Sequence, residues 1–319
     1  MSATHPASAD RWRARSAPPG GLGLALPAVP TRAADPRARP IAVFDSGVGG
    51  LTVLHELLVH LPQEDFLYLG DTARFPYGER SRAELETFAL EIAEELLARG
   101  AKLLVVACNS ATAAALPALR RRMMETTLGV DVLGVVQPEA VQAVTATRNG
   151  RIGLLATPTT VMSGAYAQAI AAADPHIDLV AVACPDLAPI IQDGTLFDHA
   201  VVDTVREYVA PLREAGVDTV VLGCTHYPLV RPLLQRMLGR DVRLVTSGAA
   251  LARQVEHVLG SRSLANPRAE AAGHRPPEEG DYRFLCTGDT EAFRGLGTRF
   301  LQMPLGTVEH VDLRAEAMT

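Results

Sequence analysis

The sequence predicts an α/β protein made of two pseudo-symmetric lobes, each a parallel sheet covered by helices. Three observations carry the prediction. Short apolar runs without polar alternation recur between longer amphipathic stretches, the pattern of strands buried on both faces by helices. The pattern runs once from Ile41 and restarts near Arg151. Each run also holds a cysteine at the end of its third strand. Leu103-Leu-Val-Val-Ala-Cys108-Asn-Ser and Thr219-Val-Val-Leu-Gly-Cys224-Thr-His lie 116 residues apart, and the starts Ile41-Ala-Val-Phe and Ile152-Gly-Leu-Leu lie 111 apart. The near-constant offset implies an internal duplication.

Residues 1–40 stand outside the pattern. They are rich in proline and arginine, have Asp10 and Asp35 as their acidic residues, and show no helical or strand period. Such a segment buries too little apolar surface to offset its ordering entropy, so a disordered N-terminal extension is expected. Arg11, Arg13 and Arg15 do precede Gly21-Leu-Gly-Leu-Ala-Leu26, but prolines at 18, 19, 27 and 30 break that stretch too early for a signal-peptide core.

From Ile41 onward, strands are expected over 41–44, 66–69, 103–107 and 132–136, with helices over 50–60, 81–99, 110–124 and 138–147. The clearest helix places Leu85, Phe88, Ala89, Ile92 and Leu96 on one face and glutamates on the other. In the second half the strands are 152–156, 179–183, 217–222 and 242–245, and the helices are 197–215 and 248–259. Residues 261–280 are polar and proline-containing, a surface loop. A last strand (282–286) and helix (289–301) follow. One lobe is expected over 41–135 plus 250–319, holding Asp45, Cys108 and Cys286. The other covers 136–249 and holds Cys224 and His226.

Composition narrows the function classes. Hydrophobic residues are 48% and charged residues 21% of the chain, so it is globular. Lys+Arg is 30 against Asp+Glu 36, a net charge of −6, which gives no basis for nucleic-acid binding. No apolar run approaches the roughly 18 residues of a membrane span. Lys102 is the one lysine, and it opens an apolar run, a poor place for the amine that pyridoxal phosphate chemistry needs. The four cysteines, Cys108, Cys184, Cys224 and Cys286, form no CxxC and no zinc-ribbon spacing. Reduced thiols in a cytoplasmic protein are expected.

In open α/β sheets ligands bind outside the carboxyl ends of the strands. Cys108 and Cys224 are both placed there, and lobes facing across a cleft would bring two thiols to one ligand. A thiol with a pKa near ~8.5 serves as base or acid close to neutral pH. Two of them on opposite faces of one carbon meet the requirement of stereochemical inversion. Either cysteine alone reads as buried and structural; the matched pair with polar neighbours does not. His226 is set to hold or accept the Cys224 proton. Cys-x-His is also half a metal site, but no second pair of ligands accompanies it. Asp45 heads Asp45-Ser-Gly-Val-Gly-Gly50, a loop whose backbone amides can turn toward an anion. It is equally a tight turn with Asp45 satisfied locally, and it is not a dinucleotide fingerprint, because Thr52 replaces the required glycine.

At these residues the chain resembles glutamate racemase, of the cofactor-independent amino acid racemases. The matching blocks are Ile41-Ala-Val-Phe-Asp-Ser-Gly-Val-Gly-Gly-Leu-Thr-Val, Gly70-Asp-Thr-Ala-Arg-Phe-Pro-Tyr-Gly78, Ala107-Cys-Asn-Ser-Ala-Thr112 and Leu222-Gly-Cys-Thr-His-Tyr-Pro228. Weaker blocks begin at Ile152, Ser163 and Thr287, and the likeness runs to about Leu301. It implies an active site in the cleft between two lobes and racemisation of glutamate without cofactor or metal. It also implies a cytoplasmic homodimer that supplies D-glutamate for peptidoglycan and needs no nucleic acid or membrane partner. Cys108 and Cys224 would be the catalytic thiols, Cys108 the base toward D-glutamate and Cys224 toward L-glutamate. Asp45 would assist Cys108, and His226 would assist Cys224. Asp45, Ser46, Tyr77, Gly78, Asn109, Ser110, Thr225 and His226 would bind the substrate.

The chain departs from the family pattern at three places. Ser110 replaces a threonine, Gln137-Pro138-Glu139 replaces Glu-Pro-Gly, and Gln192 stands where an auxiliary glutamate is expected. Gln192 cannot take a proton, and the neighbouring Asp193 offers the nearest carboxylate. Cys184, in the same block, is expected to be a buried thiol. An aspartate or hydantoin racemase is the rival within this chemistry; His226, where aspartate racemases tend to carry glutamate, favours glutamate. A two-lobed binding protein without catalysis has no need of paired thiols.

Overall fold

The structure, a computed structural model, describes residues 35–126, 129–194, 198–270 and 279–313. The extension expected over 1–40 lies outside them up to residue 34. Residues 35–40 are structured: Pro36–Ala38 forms a 3-10 turn capped by Asp35, so the ordered chain begins before Ile41.

The first half runs β1 Ile41–Asp45, α1 Leu51–His60, β2 Phe66–Gly70, α2 Arg82–Ala98, β3 Leu103–Val106, α3 Asn109–Glu125, β4 Asp131–Gly134 and α4 Val136–Ala146. The second runs β5 Arg151–Ala156, α5 Pro158–Met162, α6 Ala165–Ala173, β6 Asp178–Ala183, α7 Leu187–Asp193, α8 His199–Glu214, β7 Thr219–Gly223, α9 Arg231–Leu238, β8 Arg243–Val245 and α10 Ser247–Ser261. The short α11 Pro267–Glu270, then β9 Tyr282–Cys286, α12 Thr290–Leu301 and β10 Val308–His310 follow.

The strands form two all-parallel sheets, ordered β10-β9-β2-β1-β3-β4 and β6-β5-β7-β8. Within β2-β1-β3-β4 and β6-β5-β7-β8 the order is the same, the second strand lying outside the first. The duplication seen in the residue offset is therefore a duplication of topology. In each sheet the chain reverses its winding beside the first strand, and the crevice for a ligand opens at the carboxyl ends of the first and third strands. Those ends carry Asp45 and Cys108 in one sheet, and Ala156 and Cys224 in the other.

Burial explains the elements. β1, β2, β3 and β7 are buried along their whole length, as strands covered on both faces must be. The helix α2 starts at a capping box in which the side chains of Ser81 and Glu84 each accept from the other's backbone amide. It buries Leu85, Ala89, Ile92 and Leu96. β6 differs from the buried strands: it is an edge strand with exposed residues at 178, 181 and 183 and half-buried ones between. An apolar run of this length does not reveal which strand has a single neighbour. The expected lobe boundary at 249/250 falls inside α10, which packs on both α1 and α4. Helices α5, α6, α7 and α9 were not foreseen.

Lys102 closes the base of the first sheet. Its side chain is buried, and Nζ donates to Glu64 Oε2 at 2.6 Å, Arg37 O at 2.6 Å and Leu264 O at 2.9 Å. All three of its N–H bonds are taken, which ties the segments at 37, 64 and 264 to the start of β3. Residues 261–270 are thus anchored rather than a simple surface loop: Asn266 is buried and its amide donates to Glu64 Oε1 at 2.7 Å. The part of this stretch at 271–278 lies outside the described residues.

Candidate active site

A cavity of about 130 Å³ lies between the carboxyl ends of the two sheets. That is well below the ~300–1,000 Å³ of a drug-sized site and suits a small metabolite. Cys108, Asn109 and Ser110, at the start of α3, line it from one side with Ser46, Tyr77 and Gly78. Cys224, Thr225 and His226, after β7, line it from the other side with Thr157. A larger hollow lies elsewhere, along α4, β8 and α10, and none of these residues borders it.

Cys108 caps α3: its Sγ accepts the Ala111 amide at 3.4 Å. A helix N-terminus favours a thiolate, and the amide and hydroxyl of Ser46 also face this sulfur. Cys224 Sγ lies 3.9 Å from His226 Nδ1. The other ring nitrogen, Nε2, lies 3.1 Å from Gln192 Oε1. That oxygen can only accept, so Nε2 carries the proton and the Nδ1 lone pair faces the thiol. Phe75 and Phe300 pack on the ring with centroids at 5.4 and 5.3 Å.

Asp45 does not line the cavity. It is fully buried behind it, accepting from the Gly47 amide at 3.1 Å and from the Thr225 hydroxyl at 3.2 Å. Its loop presses against the opposite half so closely that a Cβ on Gly49 would sit 2.4 Å from both His226 Nδ1 and Thr225 Oγ1. Tyr77 reaches the cavity with its hydroxyl already donated to Asp71. Ser110 Oγ joins Thr157 Oγ1 at 2.9 Å and Thr160 Oγ1 at 3.2 Å, a hydroxyl cluster across the two halves. Asp193, the nearest alternative carboxylate in the sequence, is exposed; Gln192 is the residue that reaches the histidine. Cys184 is buried with Sγ 3.6 Å from Val182 O and does not itself line the cavity. Cys286, in β9, is buried too. Among the described residues no group of three or more His, Cys, Asp or Glu side chains is placed to hold a metal ion.

The profile of the Asp/Glu/Hydantoin racemase family matches residues 52–255. The glutamate racemase of Geobacter metallireducens is 44% identical over 278 residues, 87% of this chain and 98% of that protein. The chain belongs to the glutamate racemase family. The crystal structure of the glutamate racemase of Bacillus anthracis superimposes with a TM-score of 0.80 at 35% identity, covering 88% of this chain and all of that one. That of Francisella tularensis, solved with D-glutamate, gives 0.77 at 31%, covering 87% and 99%. This racemase is accordingly an isomerase with the two-lobed α/β fold of its relatives. None of its described helices is long and apolar enough to cross a membrane.

Burial sets the charge states in this racemase. It pushes Cys108 up to about 12, with Asp45 adding to the rise, and Cys224 well above the ordinary thiol range. The simple expectation of thiols poised near neutrality does not hold at these buried positions. Burial also raises Asp45 and drops His226 to about 3, so the imidazole is neutral. Residue patterns alone missed Thr157. The duplication points to it, since Thr157 lies the same 111 residues beyond Ser46 as Ile152 does beyond Ile41, and both line the cavity.

Proposed function

We propose that the chain interconverts L- and D-glutamate without a cofactor, Cys108 and Cys224 working as acid and base on opposite faces of Cα. The observation that carries this is the pair of buried thiols, at equivalent strand ends of two like sheets, lining one cavity. In the direction from L to D, a Cys224 thiolate takes the Cα proton and the Cys108 thiol delivers its own to the other face; the reverse direction exchanges the roles. Burial makes thiolate formation costly at both sulfurs, and the substrate ammonium supplies a positive charge that offsets that cost. Asp45 serves Cys108, and neutral His226, with Nδ1 toward Cys224, accepts that thiol's hydrogen. Ser46, Asn109, Ser110 and Thr225, with the backbone at Tyr77 and Gly78, supply the neutral hydrogen bonds for the carboxylates and ammonium. Exclusion of water strengthens each of these contacts with the developing carbanion.

The same proposal assigns 41–135 with 250–319 to one lobe and 136–249 to the other. It places a homodimer in the cytoplasm, supplying D-glutamate for peptidoglycan; four free cysteines suit that reducing compartment. Polarimetry is the test. The purified chain alone should carry the rotation of an L-glutamate solution to zero, because the enantiomers are equal in free energy. A rotation that stays constant while calorimetry detects glutamate binding would instead favour a binding protein.

Gln192 gives a pH prediction. His226 works as a neutral group, and its low pKa keeps it neutral down to about pH 3. Gln192→Glu puts a carboxylate on Nε2, which favours the imidazolium and raises the His226 pKa. The acid limb of kcat/KM should move to higher pH in this variant. An unshifted limb would deny His226 its part in the proton transfer.

A further inference from the structure

Helix α4 carries a carboxylate that none of these steps uses. Glu139 is fully buried and meets three other helices. It accepts from Asn109 Nδ2 of α3 at 3.0 Å, from the Tyr166 hydroxyl of α6, and from the Ser247 hydroxyl of α10 at 2.7 Å. Asn109 Nδ2 also donates to the Tyr166 oxygen at 2.7 Å. A primary amide has two N–H bonds and one acceptor oxygen. Both hydrogens of Asn109 are therefore taken. Its Oδ1 is buried and accepts no hydrogen bond among the described residues, although Asn109 lines the cavity beside Cys108.

We propose that Glu139 is a positioning residue for substrate binding: with Tyr166 it engages both hydrogens of the Asn109 amide and so commits Oδ1, an acceptor, to the substrate ammonium. This deepens the glutamate reading and rests on it. Glu139 falls in the Gln137-Pro138-Glu139 stretch, where the glutamate racemase pattern that the sequence resembles reads Glu-Pro-Gly. The arrangement also withstands titration. Burial raises Glu139 to about 8, so the group is mostly protonated near neutral pH. The Ser247 hydroxyl can donate to a carboxylate Oε1 or accept from a protonated one, and Oε2 goes on accepting from Asn109 and Tyr166 either way. Tyr166 is the one titratable side chain hydrogen-bonded to Glu139, and burial holds it protonated.

The test compares KM and kcat for L-glutamate, together with melting curves, in the wild type and in variants. An ammonium contact made equally in ground and transition state appears in KM rather than kcat. Glu139→Leu releases the Asn109 amide and should raise KM about tenfold, the size of one hydrogen bond to a charged group, with kcat moving less. Glu139→Gln keeps an oxygen for Asn109 and an N–H for Ser247, and should rescue most of that rise. Tyr166→Phe loses one hydroxyl and should raise KM in the same direction, which keeps the proposal testable if Glu139→Leu fails to fold. In an Asn109→Ala background, Glu139→Leu should add nothing further. Unchanged KM in folded Glu139→Leu and Tyr166→Phe, or full additivity with Asn109→Ala, would overturn the inference while leaving the racemase reading intact. A wild type that does not racemise glutamate would remove that reading, and the inference with it.

Discussion

Serine in place of Cys108 or of Cys224 is expected to slow glutamate racemisation by about 10²–10⁴-fold, the usual contribution of a positioned acid or base. The cause is the hydroxyl's far higher pKa at a site that already penalises a buried thiolate: Cys108 is up to about 12 and Cys224 is well above its ordinary range. The two variants should also fail differently. With Cys108 gone, Cys224 still reaches the Cα hydrogen of L-glutamate, so L-glutamate exchanges that hydrogen with solvent faster than it inverts. Cys224→Ser should exchange D-glutamate instead. Polarimetry measures the first effect and proton NMR in D2O the second. Melting temperatures near the wild type's would show that the loss is chemical, because serine keeps a small polar side chain able to take the place of each sulfur in its local contacts. Near-normal turnover in both variants would end the two-thiol mechanism.

Gly49→Ala should be nearly as damaging, although Gly49 carries no chemistry. Its Cβ would lie 2.4 Å from His226 Nδ1 and Thr225 Oγ1, so either the Asp45 loop or the Cys224-Thr225-His226 segment must move. Overpacking of this kind costs about 1–3 kcal/mol of stability, and a shift of ~1 Å in a catalytic group costs about 10²-fold in rate. Gly295→Ala is the control. That glycine sits in α12 with open space around it, and alanine there should leave turnover unchanged and raise stability by about 0.5–1 kcal/mol. Equal kinetics for the two variants would mean that the close approach at Gly49 has no part in positioning the site.

The sheet cores were legible because burial on both faces writes a continuous apolar run, and β1, β2, β3, β5 and β7 were each placed to within two residues at either end. The duplication was legible because a strand, a small residue, a cysteine and two polar residues recur at nearly the same offset as the starts of the two halves. What was lost depends on contacts far apart in sequence. Short α5 and α7 have too few turns for a period to emerge. β6 is half-exposed while the edge strands β4 and β8 are mostly buried, a difference that depends on which helices cover each edge and not on the apolar run itself. Gln192 looked like a departure that removes a base, and only the fold brings its oxygen to His226. Glu139 stood out in the sequence only as a departure from the family's Glu-Pro-Gly, and the fold alone shows it fully buried with three donors around it. The charge states were also illegible: an ordinary thiol pKa describes an exposed cysteine, and enclosure between two lobes raises both.

The most direct measurement is the hydrogen budget at Cα in the first moments of reaction. L-glutamate is incubated with the wild-type chain in D2O, and both enantiomers are recovered before a few per cent has inverted. Two thiols on opposite faces require that the D-glutamate formed carries solvent deuterium at Cα, while the remaining L-glutamate keeps its protium. Protium retained in the product, with deuterium appearing as fast in the recovered substrate, would mean that a single group handles both faces.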